Sequence, residues 1–183
     1  MDKVLVVIDM QKDFIDGTLG TPEAVEIVDK VVERVEKSAN ETILFTQDTH
    51  GEDYLSTPEG KKLPVVHCIA GTAGWEINEK IMTAWQNNST TKRDTTLTNN
   101  TFQKPVFGSV ALVNYLKAHE ATISEIELVG ICTDICVISN ALMIKNTLPN
   151  TKLVVNRALC AGVTPESHER AIGAMEMCQI DVI

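Results

Sequence analysis

The stretch Gly130-Ile131-Cys132-Thr133-Asp134-Ile135-Cys136-Val137 sets two cysteines four positions apart, behind an apolar run and ahead of a helical pattern. Cys136 then falls in the first turn of that helix, with Thr133 or Asp134 as its cap. Unpaired backbone N–H groups and the positive end of the helix dipole favour a thiolate there. The same N–H groups suit an oxyanion, formed once the thiolate attacks a carbonyl. The plainer reading of such a cysteine is a buried small hydrophobe. Cys132, directly after the strand, takes that reading, with its side chain expected in the core. A thiol nucleophile needs a base. Asp9, leaving the first strand, is the candidate, since burial and a shared proton strengthen a carboxylate base. It reads equally as a turn residue of MQKDFIDG, a role that suits Asp13 and Asp16 better. Lys104, in FQKPVFGS, would stabilise both a thiolate and a carboxylate. Taken alone it reads as a solvated lysine.

A second constellation is Asp48-x-His50 with His67 after the following loop. Two histidines and a carboxylate, with a position left open for water or substrate, match catalytic zinc or another divalent ion. Glu59, in TPEG, is either a fourth donor or only the first-turn acid of a short helix. His119 and His168 sit beside charged residues on helices and are expected in solvent.

These residues need elements to position them. Val4–Ile8 is a continuous apolar, β-branched run, the pattern of a strand buried on both faces. Thr21-Pro22-Glu23 opens a helix with Val25, Val28, Val32 and Val35 at helical spacing. Ile43–Thr46 reads as the second strand, ending at Asp48. Residues 49–72 read as a long irregular loop, and such loops are more often functional than idle. Trp75, Ile77, Ile81 and Met82 suggest a short helix, and Thr90–Arg93 a third strand. A helix with Leu112, Tyr115 and Leu116 follows Ser109. Strand Ile126–Ile131, helix Thr133–Asn146, strand Leu153–Val155, a helix from Thr164-Pro165-Glu166, and strand Ile180–Ile183 complete the chain. The alternation predicts an α/β fold: three layers, α/β/α, around a doubly wound, six-stranded, mainly parallel sheet. Ligands of such a sheet bind beyond the carboxyl ends of the strands. Asp9, Asp48, His50, Lys104 and the Cys132–Cys136 stretch all fall there.

The totals bound the function. The chain has 183 residues, expected to form a single domain over 1–183. Its formal net charge is -9 without a basic cluster, which argues against nucleic acid as a partner. No apolar run approaches the length of a membrane span, and no basic leader suggests a signal peptide. An odd number of cysteines, five, points to reduced thiols and a cytoplasmic protein rather than a disulfide framework.

With the motifs in view, VVIDMQKDF, KPVFGS and GICTDICV resemble the isochorismatase-like cysteine hydrolases. DTH at 48–50 and HCIAGTAGW from His67 resemble the nicotinamidase branch. The resemblance runs from residue 4 to the last strand. It implies a catalytic triad of Asp9, Lys104 and Cys136 that hydrolyses a small-molecule amide through a thioester. It implies a cis peptide at Ile131–Cys132 and an oxyanion hole from the N–H groups of Cys132 and Cys136. It implies a divalent ion, Zn2+ foremost, with Mn2+ or Fe2+ as alternatives, on Asp48, His50, His67 and in some members Glu59. Phe14 and Phe107 match pocket positions, and Pro64 stands where many nicotinamidases carry an aromatic that stacks on the substrate ring, so stacking surface is reduced. Many relatives form dimers or tetramers, so the resemblance implies a homo-oligomer. The alternatives are another hydrolase of the superfamily, either a carbamoyl or ureido amidase or an isochorismatase-type enzyme, and a non-catalytic redox or binding protein on the same fold.

Overall fold

The apolar run at the N-terminus becomes β1 (Asp2–Ile8), the strand around which the molecule is organised. The computed structural model describes residues 2–183, and Met1 lies outside them. β1 lies between β2 (Thr42–Asp48) and β4 (Ile123–Ile131); β3 (Thr101–Lys104) forms one edge, and β5 (Lys152–Ala161) and β6 (Asp181–Val182) extend the other. The order is β3-β2-β1-β4-β5-β6 and every pairing is parallel.

The side-chain alternation of β1 anchors two layers. Val4, Val6 and Ile8 enter one core with α5 (Val110–His119), α6 (Ile138–Thr147) and α7 (Pro165–Met177). Leu5 and Val7 enter the other with α1 (Lys12–Ile15), α2 (Pro22–Glu36) and α4 (Glu79–Asn87). Full burial of one such side chain contributes about 1.5–3 kcal/mol relative to exposure. The TPE signals work as caps: Thr21 Oγ1 accepts from Ala24 N at 3.1 Å, and Thr164 and Ser167 form a reciprocal capping box.

Several elements differ from the sequence reading. The third strand is Thr101–Lys104, not Thr90–Arg93, which contributes only an isolated bridge between Lys92 and Thr42. An edge strand of four residues needs no long apolar run to mark it. Val25 is exposed, because the buried stripe of α2 runs through Ala24, Ile27, Val28, Val31 and Val35. The long connection after β2 is not irregular throughout, since it holds α3 (Pro58–Lys62), capped by Thr57. Helix α4 begins only at Glu79, after Trp75 and Ile77. β5 is longer than its apolar run, as exposed Arg157 and Ala158 interrupt it. The last strand is shorter than Ile180–Ile183.

Chain connections diverge from β1 and β4, which opens a crevice beyond their carboxyl ends. The two strands approach closely there. Gly130 pairs with Ile8 at φ +122°, and a Cβ on it would lie 2.1 Å from Ile8 O. Only glycine meets both the angle and the contact. Gly130→Ala is expected to destabilise the fold by about 2–5 kcal/mol, through left-handed backbone strain and overpacking. Urea unfolding of the purified variant measures it.

Candidate active site

Four strand ends converge on one buried charge cluster. Asp9 follows β1 at φ 45°, with Thr46 Oγ1 donating to its Oδ1 at 2.6 Å and its own N–H donating back to Thr46 Oγ1 at 3.2 Å. Lys104 ends β3, in register with Asp48 on β2. Its ammonium lies 2.6 Å from Asp9 Oδ2, 3.2 Å from Asp48 Oδ1 and 3.6 Å from Cys136 Sγ. The lysine is not a solvated one: its side chain is 1% exposed. The Asp9 Oδ2 contact is an ion pair without directed hydrogen-bond geometry, so this oxygen keeps a lone pair for another donor.

Burial shifts the acid–base balance of the cluster. It raises the Asp9 carboxyl above the usual range, against the pull of Lys104. Burial by itself would lower Lys104, but the facing charges of Asp9, Cys136 and Asp48 outweigh it, and its pKa rises. Burial and then Asp9 push the Cys136 thiol well above its ordinary value, with Lys104 opposing. The sequence reading expected a helix dipole to favour a thiolate; burial beside a carboxylate works in the other direction and favours the neutral thiol.

The cysteine turn also differs from expectation. Thr133–Val137 is a π turn ahead of α6, with neither Thr133 nor Asp134 as a cap. Cys132 O accepts from both Ile135 N and Val137 N. Thr133 Oγ1 pairs with His168 Nδ1 at 2.8 Å, so His168 is bonded and partly buried rather than solvated. Asp134 accepts from Val163 N. The Ile131–Cys132 peptide is cis. Cys132 is half-buried: it packs against the apolar core as expected and also lines a cavity.

Next to this cluster, the donor atoms of Asp48, His50 and His67 lie within 4.8 Å of one another. His50 Nε2 is 2.9 Å from Asp48 Oδ2, and His67 Nε2 is 3.7 Å from the same oxygen. Two features fit a cation. His50 Nε2 is buried without a directed hydrogen bond. His67 Nδ1 meets Val65 O at 2.7 Å, which turns Nε2 toward the cluster. Glu59 serves the first turn of α3, with its Oε1 3.9 Å from His50 Nε2. Asp48 joins the two constellations, one oxygen on Lys104 and the other among the imidazoles.

A cavity of about 280 Å³ opens over both groups. Cys136, Asp48, His67 and Glu59 border it, with Phe14 and Phe107 in its wall. Pro64 does not border it: it is exposed, and its neighbour Leu63 faces the cavity instead.

The sequence profile of the isochorismatase domain matches residues 3–183. The chain belongs to that family. Among relatives, it is 28% identical to an uncharacterized isochorismatase family protein, PncA, of Bacillus subtilis, over 94% of this chain and 93% of the other. It is 26% identical to the nicotinamidase/pyrazinamidase of Mycobacterium tuberculosis, over 99% and 98%. The crystal structure of nicotinamidase/pyrazinamidase PncA from Bacillus subtilis superposes with a TM-score of 0.78 at 27% identity, covering 100% and 99%.

Within this isochorismatase-domain site, four further residues support the groups already described. Gln11 clamps Asp48 from both sides: its Oε1 accepts from Asp48 N at 2.7 Å and its Nε2 donates to Asp48 O at 2.8 Å. Asp13, read as a turn residue, accepts from Cys68 N at 2.8 Å and so fixes the backbone beside His67. Tyr54 packs its ring on both His50 and His67. Asn140 ties the cysteine turn to the loop after β3, donating to Cys136 O at 2.8 Å and Phe107 O at 3.2 Å while accepting from Ser109 N at 2.9 Å. A lone buried amide four residues after Cys136 was the available clue. Asn140→Leu removes these three bonds, two of them buried, and is expected to cost about 1–3 kcal/mol in chemical denaturation.

Proposed function

We propose that this protein is a metal-assisted cysteine amidase that hydrolyses nicotinamide, or a closely related small ring amide, to the acid and ammonia. The observation that carries the reading is the convergence of Asp9, Lys104 and Cys136, with Lys104 Nζ 2.6 Å from Asp9 Oδ2 and 3.6 Å from Cys136 Sγ, and with Cys136 bordering the cavity. The names of the relatives from Bacillus subtilis and Mycobacterium tuberculosis support nicotinamide as the substrate.

The buried carboxylate of Asp9 takes the proton from Cys136 Sγ, and Lys104 stabilises the thiolate as it forms. Sulfur attacks the amide carbon, and the backbone N–H groups of Cys132 and Cys136 hold the resulting oxyanion. Asp9 returns the proton to the leaving nitrogen, the C–N bond breaks, and ammonia departs. A water, deprotonated by Asp9, then cleaves the thioester to the carboxylic acid and restores the thiol. One amide and one water give one acid and one ammonia.

Asp48, His50 and His67 would hold the divalent ion, with Glu59 within reach as a further donor. Mixed imidazole and carboxylate donors suit Zn2+ first, then Mn2+ or Fe2+. Such an ion supplies a Lewis-acidic anchor for a ring nitrogen. Phe14 and Phe107 then flank the ring. We further read the enzyme as a cytoplasmic homo-oligomer of NAD salvage. Its five free cysteines fit a reducing compartment, and exposed apolar residues such as Val110 fit association. Among the described residues no helix is long and apolar enough to cross a membrane.

Cys136→Ala is expected to lower ammonia release from nicotinamide at least 10³-fold with an unchanged unfolding midpoint. Substantial turnover by that variant would sink the nucleophile assignment. Metal analysis of the purified enzyme is expected to give one divalent ion per chain, with activity lost to a chelator and restored by Zn2+. An ion content of zero in a chelator-insensitive active enzyme would contradict the ligand set.

A further inference from the structure

We infer that His168 is a positioning residue of the amidase site: through the hydroxyl of Thr133 it holds the turn whose backbone N–H groups receive the oxyanion. This rests on the amidase reading and adds to it a residue outside the cavity on which the reaction depends.

Local structure brings the imidazole to the turn. Thr164 and Ser167 close the capping box of α7, and His168 N donates to Thr164 O at 2.9 Å as the first helical turn closes. This helix start packs directly on the end of β5, where a Cβ on Gly162 would lie 2.9 Å from His168 Cβ. From there the imidazole reaches Thr133, and Oγ1 meets Nδ1 at 2.8 Å. Thr133 is fully buried and the His168 side chain largely so.

Charge sets the direction of this bond. His168 Nε2 faces Glu169 Oε1 at 3.8 Å. A carboxylate on that side favours the tautomer with its hydrogen on Nε2, which leaves Nδ1 as an acceptor. Burial lowers the His168 pKa, and Arg157 adds to this against Glu169 and Asp134, so the ring is neutral at neutral pH. Thr133 O–H therefore donates to Nδ1. Removing the ring takes this partner from a buried hydroxyl, which favours a rearranged turn.

The bond lies where rearrangement matters most. Thr133 directly follows Cys132. Asp134, next along, accepts from Val163 N at 3.1 Å, and Asn140 Nδ2 donates to Cys136 O at 2.8 Å. The turn is thus tied from outside the cavity at both ends, and the tie on Thr133 is the one adjoining Cys132. An oxyanion forms only after sulfur attacks, and its donors must lie about 2.7–3.1 Å from the position it takes. A loosened turn therefore weakens the transition state and leaves substrate binding in the cavity nearly untouched.

The test is ammonia release from nicotinamide by the metal-loaded wild type, His168→Ala, His168→Asn, Thr133→Val, and His168→Ala combined with Thr133→Val, with unfolding midpoints alongside. His168→Ala is expected to lower kcat about tenfold to 100-fold, the scale of a ~1 Å misplacement, with KM within about threefold of wild type. In His168→Asn the amide oxygen takes the place of Nδ1 as acceptor, and most of the lost kcat is expected to return. Thr133→Val should lower kcat as His168→Ala does, and the combined variant should fall no further, because both substitutions remove one and the same bond. A kcat of folded His168→Ala within about twofold of wild type, whatever its midpoint, marks a purely structural tie and overturns this inference. A loss carried by KM, an asparagine no better than alanine, or losses that multiply in the combined variant overturn it equally. If His168→Ala does not fold, Thr133→Val decides by the same split between kcat and KM. Wild-type enzyme that releases no ammonia from nicotinamide overturns the amidase reading and this inference together.

Discussion

One buried ammonium organises this molecule's chemistry. Lys104 brings a positive charge to within 3.6 Å of a thiol and between two carboxylates, in a place nearly closed to water. An isolated carboxylate in such a place costs several kcal/mol, and two side by side cost more. The lysine offsets that cost. It opposes the rise that burial gives the Asp9 carboxyl pKa, and it pairs with one oxygen of Asp48 while the other faces the imidazoles of His50 and His67. Asp9, Cys136 and the Asp48–His50–His67 cluster therefore share one electrostatic centre rather than standing as separate sites.

The sheet makes that centre possible. Lys104 and Asp48 are in register on β3 and β2, Asp9 leaves β1, and Cys136 leaves β4, so four neighbouring strands deliver the groups to one end. The close contact of Gly130 with Ile8 brings β4 tightly against β1 at the point where their chains part. Gln11 and Asn140 then lock the loops with buried amides, each satisfied by backbone groups on a different segment. Rigidity comes from these polar clamps, whereas the cavity wall itself is carbon-rich and shapes what enters.

Much of this was legible in the residues. Continuous apolar strands alternating with capped helices announced a doubly wound parallel sheet, and the polar residue after each strand located the crevice. The ordered motifs around Asp9, Lys104 and Cys136, with Asp48, His50 and His67, named the groups that meet there. What stayed hidden depended on long-range contacts. Thr101–Lys104 is a strand because β2 lies beside it, not because four residues with one buried apolar side chain demand it. The π turn at Thr133 follows from tertiary partners, His168 for Thr133 and Val163 for Asp134, that helix-start patterns do not contain. Pro64 occupied a family position, yet the end of α3 at Lys62 turns Leu63 to the cavity and leaves the proline in solvent.

The central claim is that Lys104 compensates the buried carboxylates as one unit. A double-variant stability cycle in the metal-loaded protein tests it most directly, using Lys104→Met, Asp9→Asn and the pair. Lys104→Met alone is expected to lose about 3–5 kcal/mol of unfolding free energy, since it leaves buried charge unpaired. Adding Asp9→Asn should return part of that loss, a favourable coupling of about 1–3 kcal/mol. Losses that simply add, with the pair as unstable as the two single variants summed, would contradict the account.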